Sequence, residues 1–96
     1  MGNTELLSKF SIAETKTFQK KVETRQYRNY YEKIKDVIYP QLKENPYLGK
    51  NLKRLKGELS NIFRYRIGDY RLFYTIDPEK RIIFMMAFEN RKDAYR

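Results

Sequence analysis

Arg64, Arg66 and Arg71 fall within eight residues, and Asp69 is the only carboxylate in that run. Arginine presents planar, paired donors that match phosphate oxygens, and it keeps its charge at any biological pH. Phe63, Tyr65 and Ile67 alternate with Arg64 and Arg66. That period of two belongs to a strand with one apolar and one cationic face. Just upstream stand Lys50, Lys53, Arg54 and Lys56, so residues 50–71 carry seven cations against Glu58 and Asp69, a net +5 of the chain's +9. Charge so concentrated points to a polyanion: nucleic acid, an anionic membrane or an acidic protein. Near the end of the chain, Arg91 can join the same face from the last strand. Tyr95 can stack on a nucleobase or pack back on the sheet.

Other chemistries lack their residues. Histidine and cysteine are both absent, which removes the commonest neutral-pH base, the thiolate nucleophile and the usual zinc ligands. No phosphate-binding glycine loop or dinucleotide turn is present, and the carboxylates are scattered, so neither a metal nor a cofactor is expected. Cleavage of RNA by this chain would therefore proceed without metal and without histidine. No apolar run reaches membrane-spanning length and the first ten residues lack a signal-type apolar core, so the expected location is the cytoplasm, with no membrane partner.

The elements that must position these residues follow from periodicity. The 96 residues suffice for one domain, spanning 1–96. Residues 9–12 read as a short strand with Phe10 and Ile12 on one face. Thr15 is placed to cap a helix over residues 16–24 whose buried stripe is Phe18 and Val22. A second helix over residues 26–43 has Tyr27, Tyr30, Tyr31, Ile34, Ile38 and Leu42 at helical spacing. Pro40 inside it implies a kink or a loosened turn, and Asn45-Pro46 ends it. Residues 46–57 form a basic connector. Strands follow around Phe63–Ile67 and over residues 70–76, with Tyr70, Leu72, Tyr74 and Ile76 on one face and Arg71 and Phe73 on the other. A turn at Asp77-Pro78-Glu79-Lys80 leads into residues 81–88, apolar enough to be a strand buried on both faces. The expected class is α+β, in the order β-α-α-β-β-β, with two helices covering one face of a small antiparallel sheet.

The run Leu55-Lys56-Gly57, then Phe63-Arg64-Tyr65-Arg66-Ile67-Gly68-Asp69-Tyr70-Arg71-Leu72-Phe73-Tyr74, and finally Asn90-Arg91-Lys92-Asp93-Ala94-Tyr95, resembles the RelE/ParE toxin superfamily along almost the whole chain. Glu89-Asn90 departs from the Gly-His that often precedes the closing arginine there. The resemblance implies a bacterial type II toxin held inactive by a cognate antitoxin. In RelE-like members it further implies an endoribonuclease that cuts mRNA in the A site of the 70S ribosome, by attack of a ribose 2′-OH on the adjacent phosphate. Arg71 then corresponds to the phosphate-stabilising arginine, Arg91 to the closing-motif arginine near the scissile phosphate, and Tyr95 to the tyrosine that stacks on or orients the base. Arg64 and Arg66 occupy the strand where RelE proper carries lysines. Arginine is a poor base, so the proton acceptor would be Lys53 or Lys56, Tyr95, ribosomal RNA or water. Two rivals remain open: a ParE-type inhibitor of DNA gyrase without nuclease activity, and a non-catalytic module that binds RNA or the ribosome through the same basic face.

Overall fold

The computed structural model describes residues 9–90. Strand β1 (Ser11–Glu14) leads into helix α1 (Lys16–Glu23). Thr15 caps that helix, its Oγ1 accepting from the Phe18 N–H at 3.2 Å. Phe18 and Val22, one turn apart, are fully buried. Helix α2 has three segments: α-helical Arg28–Lys33, a π-helical turn Ile34–Ile38 and α-helical Tyr39–Glu44. The π-helical turn is the consequence of Pro40. Proline has no N–H to give the carbonyl four residues back, and its ring collides with that carbonyl. The chain widens instead, and the Tyr39 N–H reaches the Ile34 carbonyl, five residues back. The extra residue shifts the phase of the helix, so that Ile34, Ile38, Tyr39 and Leu42 are all buried while Val37 is exposed. Asn45 leaves the helix in an extended conformation directly before Pro46.

Three long strands complete the chain: β3 (Ile62–Ile67), β4 (Tyr70–Asp77) and β5 (Ile82–Asn90). They form an antiparallel meander, with Gly68 at φ 56° in the first hairpin, where a side chain would be strained. Before them, Leu52–Arg54 form a short strand, β2, antiparallel to β3. The basic connector therefore contributes an edge strand, too short for its periodicity to show in the sequence. The sheet has five strands in the order β1-β5-β4-β3-β2. It is antiparallel except where β1 runs parallel to β5, Ser11 to Glu14 alongside Ile82 to Met85.

One core lies between the helices and one face of the sheet. Phe18, Val22, Ile34, Ile38 and Leu42 from the helices meet Tyr65, Leu72, Tyr74, Ile83, Met85 and Phe88 from the strands. Tyrosine hydroxyls fasten the two layers together. Tyr74 donates to the Pro46 carbonyl at 2.7 Å and Tyr65 to Gln41 Oε1 at 2.9 Å. Tyr31 and Tyr39 of α2 both donate to the Glu14 carboxylate of β1, at 2.8 and 2.7 Å. The second face of the sheet has no described helix on it, which corrects the expectation for β5. That strand is sealed on one side only: Ile83, Met85 and Phe88 are buried, Ile82 and Phe84 are half-buried, and Met86 is 41% exposed.

Burial, with the hydrogen bond to Glu14 second, pushes the Tyr31 hydroxyl up to about 12, and the same two causes raise Tyr39 further. A tyrosine in the unfolded chain ionises near pH 10. The stabilisation these protonated hydroxyls provide is therefore intact below about pH 10 and lost as the pH climbs towards 12. Urea midpoints are expected to stay level from pH 7 to 9 and to fall above pH 10. Tyr31→Phe should cost about 1.5 kcal/mol at neutral pH, the value of a hydrogen bond to a charged group, and should flatten the alkaline fall. An unchanged alkaline slope in that variant would refute the assignment.

Candidate nucleic-acid interface

The positions of the arginines are set by what lies on the other side of the sheet. Tyr65, between Arg64 and Arg66, is buried and held by its hydroxyl to Gln41 of α2. Tyr70 packs on Tyr30 of α2 at 4.1 Å between ring centres and stacks on Phe88 of β5 at 5.4 Å. Leu72 is fully buried. With these residues turned inward, strand alternation turns Arg64, Arg66 and Arg71 outward.

Register completes the outer face. Arg66 lies directly opposite Arg71 on β4, and Lys53 on β2 lies directly opposite Arg64. Two cross-strand pairs of like charge thus sit side by side. Such pairs oppose folding, by roughly 0.2–1 kcal/mol each. No described carboxylate offsets them. The ion pairs among the described residues are Lys9–Glu44, Lys21–Glu89 and Lys35–Glu32. Arg64 Nε and Arg71 Nη1 are shielded from solvent yet have no hydrogen-bond partner among the described residues. Guanidinium donors so placed are rare in folded proteins, where shielded polar atoms are nearly always paired.

Glu89 is the instructive exception. It stands directly opposite Arg71 in the ladder between β4 and β5, where a carboxylate would ordinarily neutralise the arginine. Its Oε1 instead lies 3.2 Å from Nζ of Lys21 on α1. Strand β1 accompanies β5 only as far as Met85, so beyond that point the last turn of α1, with Lys20 and Lys21, can approach the strand. Glu89 is thus paired with Lys21 rather than with the arginine opposite it.

The remaining candidates divide. Lys50 and Lys56 are exposed on either side of β2. Arg54 belongs to the opposite face: it pairs with Phe63, its guanidinium lies 5.8 Å from the centre of that ring, and its Nε donates to the Ser60 carbonyl. Arg91 and Tyr95 lie outside the described residues. Neither the Lys53–Arg64 pairing nor the Lys21–Glu89 contact is legible in the sequence, because both join residues distant in the chain. Among the described residues no group of three carboxylates could hold a metal ion, and no helix is long and apolar enough to cross a membrane.

Two outcomes follow from this charge arrangement. Arg66 is exposed, so Arg66→Gln removes a repulsion at little packing cost. It should raise the melting temperature by about 1–8 °C, the equivalent of 0.2–1 kcal/mol in a domain of this size, and the gain should shrink as salt rises. A lower melting temperature would contradict the repulsion. Lys21→Met frees Glu89 to turn to Arg71. It should weaken binding of a polyanion such as heparin by more than Lys20→Met, a loss of the same formal charge, and Glu89→Gln in the same chain should restore binding. Failure of the second substitution to restore it would show that Lys21 acts only through its own charge.

Comparison with known proteins identifies the family. Residues 11–95 match the family described as ParE toxin of type II toxin-antitoxin system, parDE. A Methanocaldococcus jannaschii protein named "Putative toxin RelE1" is 36% identical over 66 residues, which cover 67% of this chain and 71% of that protein. The toxin-antitoxin complex RelBE2 of Mycobacterium tuberculosis contains a chain that superposes with a TM-score of 0.70 at 24% identity, covering 86% of this chain and 99% of that one. A mutant of Escherichia coli toxin RelE in the free state gives 0.66 at 16% identity, covering 91% and 88%. The last two similarities establish a shared fold. With the family match across nearly its whole length and the curated relative, the chain belongs to the ParE toxins of type II toxin-antitoxin systems, within the RelE/ParE superfamily.

Proposed function

We propose that this toxin is a ribosome-dependent endoribonuclease that cuts mRNA in the A site, without a metal ion. The observation that carries the reading is the outer face itself. Lys53, Arg64, Arg66 and Arg71 are held together at a cost in stability, with shielded guanidinium nitrogens that no group among the described residues satisfies. Attack of a 2′-OH on the neighbouring phosphate crowds negative charge onto the phosphorane. Preorganised donors aimed at that charge are the most effective help a protein can give. Arg71, whose opposite number Glu89 is paired with Lys21, is the residue best suited to hold a non-bridging phosphate oxygen. Arg64 and Arg66 neutralise flanking phosphates, and Lys50 and Lys56 extend the electrostatic footprint. Arg91 is assigned to the scissile phosphate and Tyr95 to the substrate base on the strength of the closing motif.

The proton acceptor must be something other than an arginine. The described tyrosines with resolved shifts (Tyr30, Tyr31, Tyr39 and Tyr74) are all raised, chiefly by burial, so they serve as donors rather than as phenolates. Of the two candidate lysines, Lys53 and Lys56, it is Lys53 that the register places on the outer face opposite Arg64, and it is our candidate for the base. A cationic face of this kind needs a cover when idle. The solved structures from Pyrococcus horikoshii and Methanococcus jannaschii are a RelE–RelB complex and a RelB–RelE antitoxin–toxin complex. A cognate antitoxin with acidic residues is the corresponding partner here.

The family description names ParE, which favours as a second reading the ParE-type inhibitor of DNA gyrase, without nuclease activity, that the sequence resemblance left open. In vitro translation of a defined message with the purified toxin, followed by primer extension, separates the two. We expect 5′ ends within ribosome-occupied codons, absent without ribosomes, and a loss of about 100-fold or more in cleavage for Arg71→Ala, as for removal of one preorganised donor elsewhere. An intact message together with inhibited DNA supercoiling by gyrase would transfer the assignment to the second reading.

A further inference from the structure

The outer face is not purely cationic. At its centre stands Phe73, directly opposite Arg64 on one side and Ala87 on the other. Along its own strand Arg71 and Thr75 share its face. Its neighbours in the chain, Leu72 and Tyr74, are fully buried on the inner side, so Phe73 has no route into the core. It is half-buried on a face that no described helix covers. Beside it the ladder is irregular. The shift between Phe73 and Tyr74 sets an extra β5 residue, Met86, against the β4 strand, and its side chain is 41% exposed. Ala87, the partner of Phe73, is too small to lean over the ring. An aromatic and a methionine on an open, cationic sheet face have no role in the core described above. Apolar surface rimmed by polar groups is characteristic of an interaction site.

We propose that Phe73 is a base-stacking platform, and that the outer face takes single-stranded RNA with one unstacked nucleobase lying on this ring. The inference rests on the reading of the face as an RNA site and goes beyond it, because it places a base contact within the sheet, separate from Tyr95. The chemistry of the surroundings selects the ligand. Neighbouring strands are about 4.8 Å apart and residues two apart on a strand about 6.7 Å. The long side chains of Arg64 and Arg71 therefore reach the phosphates on either side of a base seated on Phe73. Every base has a π-face, so such a platform accepts any base but requires it to be free of a duplex. Met86, flexible and polarisable, lines the rim and can adapt to bases of different size.

The test uses a short RNA whose riboses are 2′-O-methylated to prevent cleavage, with 2-aminopurine at one position and a dye at one end. Binding is read by anisotropy of the dye and stacking by quenching of the 2-aminopurine, both with the full-length toxin. The expected result is binding with quenching for the native chain and for Phe73→Tyr. For Phe73→Leu we expect quenching to be lost and affinity to fall about 5- to 150-fold, with the dependence on salt unchanged because the phosphate contacts remain. Circular dichroism and the melting temperature of Phe73→Leu report whether it is folded, and the Tyr variant carries the test if it is not, since a tyrosine that binds without quenching overturns the platform. Binding of the native chain without quenching would overturn the stacking and leave the cationic-face reading standing. A folded native chain that binds no RNA even at low salt would remove both.

Discussion

Burial of alternate residues of β3 and β4 beneath α2 is the constraint on which the rest of the molecule depends. Tyr65, Leu72 and Tyr74 are drawn into the core by their apolar surface, and two of them are also fixed by hydroxyl hydrogen bonds to α2 and to the segment that follows it. A strand allows no compromise in this respect: a slip of one residue would send every inward side chain out and every arginine in. The core therefore sets the direction of Arg64, Arg66 and Arg71 far more firmly than any interaction among the arginines themselves, which repel one another.

The helix layer shows how that constraint is met. The Glu14 carboxylate, accepting from two tyrosines of α2, ties β1 to the helix that covers the sheet. Pro40 would break a regular helix at the point where these contacts are made, and the π-helical turn before it absorbs the misfit while keeping Ile38, Tyr39 and Leu42 inward. The polar fastenings are thus concentrated on the covered side, where they are shielded and strong. The cations on the open side have no comparable partners among the described residues.

This asymmetry is the physical link between fold and function. A sheet face with Lys53 opposite Arg64 and Arg66 opposite Arg71 is less stable than one with mixed charges. Toleration of such a cost at one face, with structural economy elsewhere, is typical of a surface whose partner supplies the missing charge. The three arginines of that face lie on the interior strands β3 and β4, and Lys53 joins them from the edge strand β2. Lys21 and Glu89 add a further level of control, since the nearest carboxylate in register is diverted to a neighbouring helix.

Features governed by local period and local chemistry are legible along the chain. Thr15 before Phe18 announced the helix cap, the spacing from Ile34 to Leu42 announced the buried stripe of α2, and Pro40 announced its irregularity. The alternation from Phe63 to Tyr74 announced two strands with arginines on one face, and the motif around Gly68-Asp69 pointed to the toxin superfamily. Features that join distant segments arise only in the folded chain. Three residues, Leu52 to Arg54, show no period, so β2 and the pairing of Lys53 with Arg64 became visible only once β3 lay beside them. The almost unbroken apolar run of β5 looks the same whether a strand is covered on one side or two. Its open side, with Met86 and the neighbouring Phe73, follows from both helices packing on the other face. The diversion of Glu89 to Lys21 has no local signature, because it arises where β1 ends and α1 takes its place beside β5. Hydrophobic periodicity reports which way a side chain faces; which charges and rings meet there depends on strand order and register, and these are set by the packing of the whole.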